Sequence, residues 1–237
     1  MVGRTRGNPN AIAGMPSFRD VFIPPLGLTG TLSLPSHPLG LVVFAHGSGS
    51  SRFSPRNVAV ADALNGAGFG TLLFDLLMPA EESDRRNVFD IPLLADRLVQ
   101  AVVWIDEDSL LSKLPLGLFG ASTGAAAALA AAAHLGDRVG AVVSRGGRPD
   151  LAAAALDNVR SPTLLIVGGN DIPVVELNKQ ALARLKEPKS LRIVPGTRHL
   201  FPEPGALEAV IMHATDWFSA YLGRRGTGKM AAHIPEQ

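Results

Sequence analysis

The chain has 237 residues, of which 46% are hydrophobic and 18% charged, a composition that supports a large core and suits one α/β sheet covered on both faces. A formal net charge of +1 provides no field to draw in nucleic acid or an anionic membrane surface. The absence of cysteine excludes disulfides, thiolate metal ligands and a cysteine nucleophile.

Residues 1–17 are rich in Gly, Pro and Asn, with basic residues but no apolar run after them. They read as a flexible N-terminal segment rather than a secretory signal. Asp20–Ile23 and Leu28–Leu34 read as an antiparallel hairpin at one sheet edge. Leu41–Ala45 is continuously apolar, as expected of a strand buried on both faces. Similar runs follow at Gly70–Asp75, Leu116–Phe119, Gly140–Ser144, Thr163–Val167 and Leu191–Val194. Helical patterns separate them at Asn57–Ala67, Ile91–Asp106, Thr123–Leu135, Val174–Leu185 and Ala206–Leu222; in the second, Leu94, Leu98, Ala101, Val102 and Ile105 mark one apolar face. Strands alternating with helices predict right-handed crossovers and a mostly parallel sheet of about eight strands, the first two running antiparallel to the rest. A single domain over 18–222 and a C-terminal tail over 223–237 complete the expected layout. The most apolar helix, Thr123–Leu135, falls short of the roughly 20 residues that span a bilayer. With no cysteine and no signal, a cytoplasmic location is expected.

Chemistry in such a sheet sits beyond the carboxyl ends of the strands. One segment there is Gly120-Ala121-Ser122-Thr123-Gly124, between an apolar run and an alanine-rich helix. This pattern occurs once in the chain. It predicts a sharp strand-to-helix turn that exposes Ser122 as a nucleophile at a helix N-terminus; the alternative is a structural Gly-Ser-Gly turn. Asp171, in Gly168-Gly169-Asn170-Asp171 after a late strand, suits the carboxylate that orients a base, or else a helix N-cap. His199, after the last strand, suits the base; a solvated loop histidine is the plainer reading. His37, His134, His213 and His233 fall in a turn, two helices and the tail, where they fit that role less well.

The loop His46-Gly47-Ser48-Gly49-Ser50-Ser51-Arg52 follows an early strand. It is expected to supply the Ser48 N–H to an oxyanion hole completed by the Thr123 N–H, with His46 pinning the loop rather than reacting. The loop lacks the Gly-x-x-x-x-Gly-Lys-Ser/Thr pattern of a nucleotide-binding P-loop. Arg52, Arg145 and Arg148 leave strand ends on the same rim and could hold a substrate carboxylate or phosphate. Equally, Glu81, Glu82, Asp84 or Asp150 could neutralise them.

His46–Arg52, Ser54-Pro55-Arg56-Asn57, the elbow, Ser144–Asp150 and His199-Leu200-Phe201 together resemble the dienelactone-hydrolase-like group of α/β hydrolases, over about Ile23 to Leu222. The resemblance implies the α/β-hydrolase fold, a single-domain esterase or lactonase for small esters, and neither metal nor organic cofactor. Some members are fused to a phosphoribosyltransferase-like domain, for which this chain has no room. Dienelactone hydrolases proper carry a cysteine where this chain has Ser122, and a glutamate in the loop that here reads His46-Gly47-Ser48. The group name is therefore not a guide to the substrate.

The expected reaction is acyl transfer from a small ester or lactone to Ser122 and then to water, with no nucleic-acid or membrane partner. Thioester cleavage or acyl transfer on the same three residues is the nearer alternative, and a non-catalytic binding module the more distant one. The short stretch between Ser144 and Thr163 leaves no room for a large lid, and residues 78–90 are the expected mobile cover. The oligomeric state is not legible.

Overall fold

The computed structural model describes residues 17–186 and 188–223. Except for Ser17 and Gly223, the loose ends expected at 1–17 and 223–237 lie outside the described residues. Ser17 already belongs to a strand.

Eight strands form one sheet: β1 (Ser17–Ile23), β2 (Leu28–Leu34), β3 (Leu41–Ala45), β4 (Gly70–Phe74), β5 (Leu116–Ala121), β6 (Val139–Arg145), β7 (Thr163–Gly168) and β8 (Lys189–Val194), in the order β1-β2-β4-β3-β5-β6-β7-β8. Pairing is parallel from β4 through β3 and on to β8. Here the structure corrects one expectation. β2 is antiparallel to both β1 and β4, so β2 alone opposes the rest and β1 runs with them. The physical reason is simple: each hairpin reversal changes direction once, and β1 lies two antiparallel pairings from β4.

Side chains alternate across the pleat, and both faces are covered. Val43, Leu72, Leu118, Val142 and Leu165 enter the core beneath α4 (Ile91–Glu107) and α5 (Thr123–Leu135). Val42, Phe44, Phe119, Val143 and Ile166 enter the opposite core beneath α1 (Pro55–Gly66) and α7 (Ala206–Tyr221). Alanine at 125–128, 131 and 132, fully buried, lets α5 lie close to the sheet and to α4. α6 (Ile172–Arg184) packs on β7 and β8. Between β6 and β7 lies only a 3-10 segment, Pro149–Asn158.

The expected cover at 78–90 is folded as two single-turn helices, α2 (Pro79–Glu82) and α3 (Arg85–Val88). The Asp84 side chain accepts from the Arg86 N–H, and Glu81 pairs with the buried Arg97 of α4 at 2.8 Å, tying the cover to the body. Among the described residues no helix is long and apolar enough to cross a membrane.

Candidate active site

β5 stops at Ala121 because Ser122 takes φ 53° and ψ −120°, a left-handed conformation that only a tightly held non-glycine residue adopts. Three backbone bonds hold it: the Ser122 N–H donates to the Arg145 carbonyl at 3.1 Å, and the Ser122 carbonyl accepts from the N–H groups of Ala125 and Arg148. The flanking glycines are required by space. A Cβ on Gly120 would stand 2.4 Å from the Ala125 Cα, and one on Gly124 would stand 2.3 Å from the Ala45 carbonyl oxygen. Thr123 then opens α5, which directs the positive end of its dipole at the serine.

Asp171 occupies the N-cap position of α6, yet its side chain caps nothing. The turn that carries it is laced to the β8 loop: Gly169 N–H donates to the Val194 carbonyl and Asn170 N–H to the Thr197 carbonyl. That lacing brings the Asp171 Oδ2 to 2.7 Å from the His199 Nδ1. On its other side the His199 Nε2 lies 3.3 Å from the Ser122 Oγ. A carboxylate only accepts, so Nδ1 carries the proton and Nε2 faces the hydroxyl as a lone pair. Nearby, Arg198 is tied back to Glu203.

His46 is held on both ring nitrogens. Nδ1 donates to the Gly47 carbonyl at 3.0 Å, and Nε2 accepts the Leu76 N–H at 3.1 Å. Burial holds its pKa below the ordinary histidine value, against the pull of the Gly47 carbonyl and of Asp75 and Glu82. It anchors the loop to the end of β4. The Ser48 N–H, however, does not stand free: it donates to the Thr123 Oγ1 at 2.9 Å. The Thr123 hydroxyl, of which the pattern Gly-x-Ser-x-Gly says nothing, thus joins the two loops expected to flank an oxyanion.

The three rim arginines separate. Arg52 donates from its backbone and its guanidinium to Asp75, just past the end of β4, and its guanidinium carbon lies 4.1 Å from the Phe53 ring centroid. Asp75 was not among the expected partners, since only the β3–β4 pairing brings it there. Arg148 forms a two-pronged pair with Asp150 at 2.7 and 2.9 Å, which raises the arginine's pKa. Arg145 is buried and, among the described residues, has no such partner. Asn178 of α6, also missed in the sequence, donates to the Gly147 carbonyl and fixes the loop between Arg145 and Arg148. Two spaces adjoin Ser48. One is a recess of about 10 Å³ lined by Gly47, Leu76, Leu77, Leu94 and Thr123 among others. The other is an open cleft of about 380 Å³ between Ser48-Gly49 and Glu82, Arg85, Val88 and Phe89.

An eight-stranded, mostly parallel sheet with a serine on a strained turn after β5 defines the α/β-hydrolase class. Solved structures agree. A dienelactone hydrolase from Anabaena variabilis is 51% identical, with a TM-score of 0.85, covering 89% of this chain and 100% of that one. Est1E from Butyrivibrio proteoclasticus shares the fold at 16% identity, with a TM-score of 0.71 over 86% of this chain and 98% of its own. The chain belongs to the dienelactone-hydrolase-like group of α/β hydrolases. Two curated Mycobacterium tuberculosis proteins, from strains CDC 1551 and H37Rv, are 55% identical over 214 residues, 89% of this chain, and carry the provisional name phosphoribosyl transferase. This chain spans about half of their length, 48%. No family model matches the sequence.

Proposed function

We propose that this hydrolase cleaves small or short-acyl carboxylic esters or lactones through an acyl-enzyme on Ser122. The observation that carries the reading is the hydrogen-bonded relay from Ser122 through His199 to Asp171, set at the N-terminus of α5. Ser122 Oγ attacks the carbonyl carbon while His199 Nε2 takes its proton, and Asp171 steadies the imidazolium. The negative charge that gathers on the carbonyl oxygen meets the N–H groups of Thr123 and Ser48. An oxyanion is a stronger acceptor than a neutral hydroxyl, so it draws the Ser48 N–H away from the Thr123 Oγ1. As the tetrahedral species collapses, the C–O bond to the alcohol breaks and the leaving oxygen takes the proton from His199. Water, deprotonated by the same histidine, then attacks the acyl-serine and regenerates Ser122.

The recess at Ser48 and Thr123 has about the room of one water-sized group, and the larger space at Ser48 is an open cleft of about 380 Å³; a small substrate fits this pair better than a long, fully buried acyl chain. The transferase name of the mycobacterial relatives covers chains about twice as long, and their whole activity is not carried over to this one. Two measurements test the proposal together. The first is covalent labelling by a fluorophosphonate, with the adduct mapped to Ser122. The second is kcat/KM across p-nitrophenyl esters of increasing chain length, lactones and matched thioesters. Absence of labelling would leave a non-catalytic module. Faster cleavage of the thioester than of its matched ester would move the assignment to thioesters.

A further inference from the structure

A buried guanidinium is costly unless its charge and its N–H groups find partners. Arg145, the last residue of β6, is 6% exposed. Its Nη2 donates to the Asn57 Oδ1 at 3.2 Å, while its Nε and Nη1 meet no acceptor among the described residues. Asn57 lies in the first turn of α1 beside Arg56, whose Nε is likewise buried and meets no acceptor among the described residues. Arg52 and Arg148 pair with Asp75 and Asp150; among the described residues Arg145 and Arg56 have no carboxylate partner of this kind. The end of α1 adds to the imbalance. Its N-cap, Ser54, makes no side-chain cap, and its first turn holds no acidic residue. Burial, and then the charge of Arg56, lower the Arg145 pKa to about 10, so the guanidinium is still charged at neutral pH. Two guanidinium groups and the positive end of a twelve-residue helix therefore gather without a carboxylate paired to either arginine among the described residues.

We propose that Arg145, Arg56 and the first turn of α1 form a binding site for a compact oxyanion, a phosphate or a carboxylate. The chemistry suits it: guanidinium N–H groups in a planar fork match such an anion, and uncapped helix N–H groups add donors. The site adjoins the candidate active site. The Arg145 carbonyl holds the Ser122 N–H, and a Cβ on the next residue, Gly146, would lie 3.0 Å from the His199 carbonyl oxygen. Two sources could supply the anion: an acid group on the ester substrate, which rests on the hydrolase reading, or free phosphate, which does not.

Inorganic phosphate is the probe, titrated into the full chain by calorimetry and thermal unfolding at constant ionic strength, with chloride as the control. Wild type and Ser122→Ala are expected to bind it saturably, and Arg145→Gln and Arg56→Gln to bind it about 10- to 150-fold more weakly. Arg56→Gln alters the less buried arginine and keeps the test decisive if Arg145→Gln fails to fold. Kinetics separate the sources. If the anion is the substrate's own, phosphate competes with a carboxylate-bearing ester, and Arg56→Gln loses more on that ester than on its methyl ester. If it is free phosphate, binding occurs without competition. Either result supports the site. A phosphate response no greater than that to chloride, or equal binding by wild type and both arginine variants, overturns it. Failure of the hydrolase reading is seen separately, as absence of fluorophosphonate labelling.

Discussion

Asp171→Asn isolates the tautomer argument from the fold. In the wild type the carboxylate can only accept, so the 2.7 Å contact keeps the proton on Nδ1 and leaves the Nε2 lone pair facing Ser122 at 3.3 Å. An asparagine of nearly the same shape can turn its NH₂ toward Nδ1. The ring proton then moves to Nε2, and the base facing the hydroxyl is lost. The expected decrease in kcat is roughly 10⁴-fold, or about 5.4 kcal/mol at about 1.36 kcal/mol per decade. The fold should not change, because the Asp171 carboxylate caps no helix N–H and asparagine suits an N-cap position equally well. The assay is p-nitrophenyl acetate hydrolysis with thermal melts alongside. Asp150→Asn is the control: that carboxylate binds Arg148 and does not meet His199. Its loss should stay within a few-fold. The reasoning is refuted if Asp171→Asn retains a tenth or more of wild-type turnover, or if Asp150→Asn is the more damaging change.

Ser122→Ala should lower ester turnover by on the order of 10⁴ to 10⁶ with an unchanged circular dichroism spectrum, and near-normal activity of the purified variant would remove the assignment. Gly124→Ala drives a Cβ to within 2.3 Å of the Ala45 carbonyl oxygen, so urea denaturation should show a loss of at least about 1–3 kcal/mol; an unaltered midpoint would contradict the packing described. His46 is held below its ordinary pKa by burial, so the unfolded chain binds a proton that the folded chain refuses. Stability from this group is therefore complete above about pH 6.5 and declines as pH falls below it. His46→Gln should flatten that part of the stability curve between about pH 7 and 5, and identical slopes in the two proteins would show that the histidine is not coupled to folding. Arg52→Met and Arg148→Met, whose charges are already met by Asp75 and Asp150, should weaken turnover of a carboxylate ester and of its methyl ester alike; a selective loss on the charged ester would place one of them at the substrate.

Local pattern was enough for much of the architecture. Continuous apolar runs placed β3 to β7, because a strand buried on both faces must be apolar at nearly every position, whereas β1 and β2 were legible only as an edge hairpin and β8 only over Leu191–Val194. The bounds Thr123–Leu135 of α5 were readable because the elbow glycines start the helix and Gly136 ends it. The chain order of Ser122, Asp171 and His199 also lies in the sequence. Their contacts do not: 77 positions separate the serine from the histidine, and only the β5–β6–β7–β8 pairing brings those strand ends together. The same limit hid the direction of β1, the Thr123 hydroxyl on the Ser48 N–H, and the pairing of Arg52 with Asp75. It also hid the difference between Arg148, which has an acid two residues away, and Arg145, whose nearest polar partner lies 88 positions earlier. Periodicity and turn chemistry act over a few neighbouring residues, so a sequence can declare them. Which charges are neutralised depends on crossovers that bring distant strand ends to one rim, and that is decided only when the sheet has closed on its helices.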